Sequence, residues 1–161
     1  MYRTTLALML LSLGLLSGCS HLSPFSTLTK WDVVLSASEQ VNPDLHGRPS
    51  PVVVRLLELR HAAAFDNADF FSLYTHAEQT LPKDWLSSEE LELRPGEQLA
   101  LKLRLRPDTR FVGVLAAYRD LPNVQWRWVV PVESRQLTRT ELMLDETGIR
   151  DASPTSVMEA E

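Results

Sequence analysis

Cys19, the only cysteine of this 161-residue chain, is the residue best placed for covalent chemistry. It ends the run Leu16-Ser17-Gly18-Cys19, which closes an apolar segment from Leu6 to Leu16, and Arg3 supplies a positive charge ahead of that segment. This arrangement is typical of a secretory signal peptide, and a cysteine after two small residues matches a bacterial lipobox. A lipobox cysteine becomes the first residue of the mature protein and carries acyl chains on its sulfur and its amino group. We therefore predict a lipoprotein signal peptide over residues 1–18 and lipidation at Cys19.

Acyl chains on Cys19 would anchor the protein to a membrane. Two lipid signals already hold a protein stably, because each buried CH₂ contributes about 0.8 kcal/mol. The apolar segment itself is too short for a transmembrane helix, which needs about 20 apolar residues. The lipobox pattern, with Ser20 where Asp would favour the inner membrane, points to the periplasmic face of the outer membrane. The alternative, an ordinary signal peptide followed by a chance cysteine, stays open.

The remaining residues do not have the spacing of a catalytic or metal site. The glycines of the mature chain are isolated, so no phosphate-binding loop is present, and no serine lies in a G-x-S-x-G motif. The four histidines do not pair at metal-ligand spacing. Glu89 and Glu90 are adjacent in a predicted strand, where neighbouring side chains point to opposite faces. We therefore predict that the protein is not an enzyme and has no metal or cofactor besides the covalent lipid.

Charge and composition divide the chain into regions. The formal net charge is −5 and there is no basic run, which argues against a nucleic-acid partner. Residues 19–29 are polar and are predicted to form a lipidated tether. Residues 30–145 are long enough for one domain with a single core. The polar residues 146–161 are predicted to form an acidic flexible tail.

The domain is predicted to be mostly β. Leu99, Leu101, Leu103 and Leu105 alternate with charged residues, which indicates a half-buried strand with a charged outer face. Shorter alternating patterns predict four more strands, around residues 31–37, 90–94, 125–130 and 141–145. Residues 52–59 and 111–117 are apolar on both faces and are expected to be central strands. The pattern therefore predicts about seven strands.

One α-helix is predicted over about residues 66–81. An apolar stripe recurs at helical spacing, from Phe70 through Leu73 and Ala77 to Leu81. Asp66 is a candidate N-cap, and Pro82 ends the pattern. We expect the aromatic residues of this segment to pack against a sheet.

The loop after the first strand, residues 40–51, is the most informative irregular segment. Its three prolines and one glycine make it stiff, and a twelve-residue connection is long for two neighbouring strands. Such loops are often functional, and proline lowers the entropy lost on docking. The alternative is a rigid connector between sheets. We expect the loop to contact a partner and the fold not to depend on it.

The chain resembles a known family, the outer-membrane lipoproteins of the type VI secretion system, called TssJ or SciN. The resemblance extends from Cys19 to about Leu144. It rests on the lipobox, Asn42-Pro43-Asp44, the run Gly47-Arg48-Pro49-Ser50-Pro51-Val52-Val53-Val54-Arg55-Leu56, Ala68-Asp69-Phe70-Phe71, Leu93-Arg94-Pro95-Gly96-Glu97, Gly113-Val114-Leu115-Ala116-Ala117-Tyr118-Arg119-Asp120 and Trp126-Arg127.

The resemblance implies a transthyretin-like or Ig-like β-sandwich with an added helix. It also implies that the protein anchors the type VI membrane complex to the outer membrane by binding the periplasmic C-terminal region of TssM, and through TssM the complex that contains TssL. The loop contacts implied for TssM are Asn42, Pro43, Asp44, Leu45, His46, Gly47, Arg48 and Pro49. Leu45 is our choice for an apolar anchor and Arg48 for a charged contact. The alternative function is a periplasmic ligand-binding lipoprotein of unknown specificity.

Overall fold

Two four-stranded β-sheets pack face to face in the computed structural model, which describes residues 28–153. The predicted signal peptide, Cys19 and most of the predicted tether lie outside the described residues. The strands are β1 (Thr29–Ala37), β2 (Val52–Leu59), β3 (Trp85–Leu93), β4 (Gln98–Leu105), β5 (Phe111–Ala116), β6 (Arg127–Pro131), β7 (Leu137–Asp145) and β8 (Gly148–Asp151). The helices are α1 (Ala63–Asn67) and α2 (Phe70–Thr80), and a short 3-10 helix spans Leu121–Asn123.

The first sheet has the order β4-β1-β7-β8 and one polar face. β1 pairs antiparallel with β4 and parallel with β7. Along β1, Trp31, Val33 and Leu35 are buried between the sheets and the residues between them face outward. The predicted facing of β4 is also confirmed, with Leu101 and Leu103 inward and Lys102 exposed. These two leucines are only half-buried, because β4 is an edge strand.

The second sheet, β3-β2-β5-β6, is covered on both faces, as the continuous apolar runs predicted. β2 and β5 are its two central strands. Their inner side chains join the core between the sheets, whereas Leu57, Leu59 and Leu115 pack on the other face against α1 and α2. At Gly113, a Cβ atom would lie 2.8 Å from the ring of Phe65. A larger residue there would push α1 away from the sheet.

The helical segment differs in detail from the single helix predicted over 66–81. The chain forms two helices, and the N-cap of α2 is Asp69 rather than Asp66, since the Asp69 carboxylate accepts a hydrogen bond from the Ser72 backbone N–H. The break at Ala68 lets Phe65 and Phe70 both reach the sheet, and both are buried. The predicted stripe is confirmed, but Phe71 faces solvent with 68% of its surface exposed.

An eighth strand lies in the region predicted to be a flexible tail from residue 146. β8 pairs with β7, and the Ile149 N–H also donates to the Gln125 backbone oxygen at 2.7 Å, next to β6. Gly148 has φ +124, and a Cβ atom there would lie 2.4 Å from the same oxygen. The sandwich therefore extends to Asp151. The contact between Gln125 and β8 closes the side of the sandwich between β6 and β8. The predicted mostly β sandwich is confirmed, with eight strands rather than about seven.

The two ends of the sandwich carry different features. We call the end where β1 begins the tether end, because the predicted tether joins the domain there. Residues 106–110 and 132–136 lie at the same end, as the backbone bonds of Arg110 to Leu59 and Lys30 to Gln136 show. The opposite end, which we call the loop end, carries residues 38–51 after β1, the β3–β4 turn, residues 117–126 and the β7–β8 turn.

Candidate functional site

The base of the 40–51 loop belongs to the core. Val41 is completely buried and packs in the cluster between the sheets, and Ser50 is nearly buried. The Ser50 N–H donates to the Val41 oxygen at 3.1 Å, which closes the loop at its neck. The expectation that the fold does not depend on this loop therefore holds at most for its outer part, residues 43–49, because removing Val41 would open a cavity.

Asn42 fixes the direction of the loop. Its backbone has φ +50, a left-handed conformation that asparagine tolerates better than most residues. Its buried amide group is satisfied on both sides. Nδ2 donates to the Pro51 oxygen at 2.7 Å, and Oδ1 accepts from the Arg119 N–H at 2.8 Å. The first bond closes the loop across its neck, and the second attaches it to the chain after β5.

Asp44 organises the tip of the loop. One carboxylate oxygen accepts the backbone N–H groups of His46 and Arg48, at 2.8 and 2.9 Å, and the other accepts Nε of Arg48 at 2.8 Å. Gly47, with φ +75, allows the sharp turn between them. The backbone and side-chain hydrogen bonds from Arg48 lower the pKa of Asp44 below 3.8. The tip is therefore held in one conformation before any partner arrives.

Leu45 is presented to solvent by this framework. It is the most exposed of the large apolar side chains among residues 28–153, with the surface of a free residue. His46 and Pro49 beside it are also exposed. An apolar side chain on a preorganised tip is suited to insertion into an apolar pocket of another protein, because little conformational entropy is lost on docking.

A cleft of about 630 Å³ runs along one side of the loop. Its walls are formed by the loop on one side and by the segment after β5, with the β7–β8 turn, on the other; the lining residues are Asn42, Pro43, Asp44, Leu45, His46, Tyr118, Arg119, Asp120, Val124 and Glu146. The Tyr118 hydroxyl is buried and has no hydrogen-bond partner among the described residues. Burial, and then the charges of Asp145 and Glu146, raise the pKa of Tyr118.

The structure thus brings together residues 42–46 of the predicted contact set along the cleft. Gly47, Arg48 and Pro49 lie on the same loop outside the cleft lining, and Arg48 pairs with Asp44 at 2.7 Å. Cys19 lies outside the described residues. The sequence did not predict four of the cleft residues, Tyr118, Arg119, Asp120 and Glu146, as part of the site. The first three belong to the segment from Gly113 to Asp120, on which the family resemblance partly rests. These four residues are distant from the loop in sequence and approach it only in the folded domain, so no local sequence pattern predicts them.

Residues 28–153 contain no group of three or more His, Cys, Asp or Glu side chains positioned to hold a metal ion. Within the same residues, no helix has the length and apolar character needed to cross a membrane.

Comparison with known proteins gives one family. A family model described as type VI secretion lipoprotein, with the members VasD, EvfM and TssJ, matches residues 29–147. A search of curated proteins found no match. Among solved structures, the T6SS lipoprotein TssJ1 from Pseudomonas aeruginosa is 35% identical, with 76% of this chain and 94% of that chain covered and a TM-score of 0.74.

Two further structures are similar. Lip from Serratia marcescens, described as a membrane-bound component of the type VI secretion system, is 28% identical over 76% of this chain and 96% of its own, with a TM-score of 0.72. A chain in a structure described as the T6SS protein TssM C-terminal domain (869–1107) from EAEC is 25% identical over 76% of this chain and 97% of its own, with a TM-score of 0.65.

Proposed function

This chain belongs to the type VI secretion lipoprotein family, and we propose that it anchors the type VI membrane complex to the outer membrane by binding the periplasmic C-terminal region of TssM through its 40–51 loop. In this proposal Cys19 carries the lipid, the domain faces the periplasm, and the TssL-containing complex is reached through TssM. The work is mechanical and not enzymatic. A machine that pushes against a membrane needs a fixed point, and a stiff sandwich on a lipid anchor provides one.

The placement of the loop relative to the tether supports this role. β1 begins at Thr29, ten residues after Cys19, and the 40–51 loop follows its other end. A nine-residue strand spans about 26 Å at 3.3 Å per residue. Force applied at the loop would therefore pass along β1, which is hydrogen-bonded to β4 on one side and β7 on the other. A strand in this position is held by backbone hydrogen bonds along both of its edges.

The preorganised tip is the observation that carries the proposal. Leu45 is fully exposed, while Asn42 and Asp44 hold the backbone around it with six hydrogen bonds or ion-pair contacts. A leucine whose side chain is fully exposed buries no apolar surface in the domain and so contributes little to its stability. Interfaces, in contrast, draw much of their affinity from apolar residues at the centre of the contact. The match to a chain from a structure described as the TssM C-terminal domain supports TssM as the partner.

The experiment uses the mature chain, residues 19–161, with Cys19→Ser to keep it in solution, and the periplasmic region of TssM. Calorimetry should show binding for this protein. Leu45→Ala should weaken the affinity at least about tenfold, which corresponds to 1.4 kcal/mol. The matched control is Phe71→Ala, which removes the second most exposed large apolar side chain, on α2. Unchanged affinity of Leu45→Ala, or an equal loss for Phe71→Ala, would place the interface elsewhere.

The lipid anchor needs its own test. In cells, Cys19→Ser should remove labelling by a palmitate analogue and move the protein out of the outer-membrane fraction. Outer-membrane attachment of the variant at the level of the unsubstituted protein would reject lipidation at Cys19.

The alternative function, a ligand-binding lipoprotein, is favoured by one observation, the cleft beside Tyr118. Mass spectrometry of the natively purified protein would reveal a retained small molecule.

A further inference from the structure

Four cations lie side by side on the outer face of the first sheet, at its tether end. Strand register pairs Lys30 with Arg104, and it places Asp32 between Lys102 and Arg139. All four point away from the core, because Trp31 and Val33 on the alternate positions of β1 are buried. Lys102, Arg104 and Arg139 are exposed, and Lys30 is half-buried.

These cations are not paired with carboxylates within the domain, residues 28–153. None of the four forms a salt bridge with a residue that the structure describes. Asp32 and Glu141 on the same face offset part of their charge, but four cations against two carboxylates leave the cluster positive in a protein whose formal net charge is −5. At the loop end the acidic residues outnumber the basic ones, since Glu39, Asp44, Glu97, Asp120, Asp145 and Glu146 lie there with Arg48, Arg94 and Arg119. The loop end is therefore net acidic, whereas this face of the first sheet is net basic.

Exposed leucines accompany the cations. Leu28, just before β1, is 43% exposed, and Leu137, which pairs with Lys30 across the β1–β7 ladder, is 38% exposed. Only two other large apolar side chains among residues 28–153 are exposed, Leu45 and Phe71. Cationic side chains interleaved with exposed apolar ones are typical of surfaces that bind at a membrane interface. We call Leu28, Lys30, Lys102, Arg104, Leu137 and Arg139 the basic face.

The chain length before β1 keeps this face near the anchor. Leu28 comes nine positions after Cys19, and an extended chain over nine residue steps reaches about 32 Å at most. The basic face begins where that segment ends. If Cys19 carries lipid, the nearest extended surface to these cations is the membrane itself.

We propose that the basic face docks on anionic phospholipid headgroups of the membrane that holds the lipid anchor. This rests on the proposed lipidation of Cys19. The phosphates pair with the four cations, and Leu28 and Leu137 enter the headgroup layer. Docking brings the outer face of the first sheet against the headgroups at its tether end, where the cations lie. The net acidic loop end is repelled from the same anionic surface, so the end that carries Leu45 tilts away from the membrane. The basic face therefore orients the domain on the membrane.

Vesicle binding tests the proposal without the lipid. The mature Cys19→Ser chain is mixed with vesicles of phosphatidylethanolamine alone or with about 30% phosphatidylglycerol, whose anionic headgroups give a negative surface potential. The vesicles are then pelleted at low and at raised salt. Binding should require phosphatidylglycerol and fall as salt rises. The double variant Lys102→Gln, Arg104→Gln should bind the vesicles at least about tenfold more weakly, since each cation near an anionic surface raises the affinity about fivefold. The control pair, Arg94→Gln with Arg119→Gln, changes the net charge equally at the loop end and should keep the binding.

A site-specific probe gives the orientation. In the Cys19→Ser chain, an environment-sensitive fluorophore on Leu137→Cys should shift to the blue with phosphatidylglycerol vesicles, and one on Leu45→Cys should not. Absence of binding to the anionic vesicles, equal loss of binding in both glutamine pairs, or a fluorescence shift at position 45 alone would overturn the proposal.

Calorimetry with TssM separates this result from the proposed function. The Lys102→Gln, Arg104→Gln protein should bind TssM normally, and a loss of TssM binding with unchanged vesicle binding would show that the basic face is a protein interface.

Discussion

Asn42 and Arg119 are 77 residues apart in sequence, and the backbone N–H of Arg119 donates to the side-chain oxygen of Asn42 at 2.8 Å. This bond links the neck of the 40–51 loop to the segment that forms the far wall of the cleft. The loop is therefore attached to that wall at its base, and this contact helps to set the position of Leu45.

Asn42→Ala should lower both stability and partner affinity. Alanine leaves the Arg119 N–H and the Pro51 oxygen without partners in a buried place, which costs about 1–3 kcal/mol, and alanine is disfavoured at φ +50. Urea unfolding measures the first effect and calorimetry with TssM the second. Asn42→Asp keeps the acceptor for the Arg119 N–H but removes the donor to the Pro51 oxygen and buries a carboxylate, so it should also lose stability and affinity. Equal stability of Asn42→Ala and the unsubstituted protein would show that the loop neck is held by Val41 and Ser50 alone.

The tip of the loop should lose its order at low pH. Because the hydrogen bonds from Arg48 lower the pKa of Asp44 below 3.8, the carboxylate stabilises the folded tip above pH 3.8, and this is lost as the pH falls through the lowered value. An NMR titration of the Asp44 carboxyl group should give a midpoint below 3.8. In Arg48→Ala the midpoint should rise, because the side-chain hydrogen bond from Arg48 is lost, while the amides of residues 46 and 48 still donate. A midpoint above 3.8 in the unsubstituted protein would contradict the observed network.

The two sides of the first sheet should respond very differently to truncation. Leu142 is almost completely buried on β7, so Leu142→Ala should cost about 2–5 kcal/mol in urea unfolding. Leu101 faces the same core from edge strand β4 but is half-buried, and Leu101→Ala should cost less. Lys102→Ala, on the outer face, should change stability by no more than about 0.5 kcal/mol. A larger loss for Lys102→Ala than for Leu101→Ala would reverse the assigned facing of β4.

Sequence periodicity predicted those elements whose burial pattern repeats along the chain. Alternation over β1 and β4, and the doubly apolar runs of β2 and β5, follow directly from which faces are covered. β8 was missed because four residues are too few to show alternation, and its place depends on the backbone of Gln125. The helix break at Ala68 was missed because it precedes the apolar stripe, which begins at Phe70, and an aspartate stands at both 66 and 69. The Ser72 amide that selects Asp69 as the cap has no pattern in the sequence.

The candidate site was predicted only in its local part. Proline and glycine content indicated a stiff loop, and that property is local. Whether Val41 and Asn42 would be core or surface depended on Tyr118 and Arg119, which approach only in the folded sandwich. The same is true of the cleft and of the basic face, since each is assembled from strands that are distant in sequence. Placement of Cys19 at the membrane stays a prediction of the lipobox.

The contact between Gly148 and Gln125 should be the least tolerant glycine position of the domain. A Cβ atom at residue 148 would lie 2.4 Å from a backbone oxygen, so Gly148→Ala must displace either β8 or the segment before β6. We expect a loss of at least about 2 kcal/mol in urea unfolding, as for other overpacked sites, and faster hydrogen exchange of the Ile149 amide, which bonds the same Gln125 oxygen. The matched control is Gly47→Ala, where φ is also positive, +75, but no atom lies within 4 Å of the added Cβ. That change should cost about 1–2 kcal/mol from the left-handed backbone alone and leave the Ile149 amide unaffected. If both substitutions gave the same loss and neither changed Ile149 exchange, the side of the sandwich between β6 and β8 would not be closed as described.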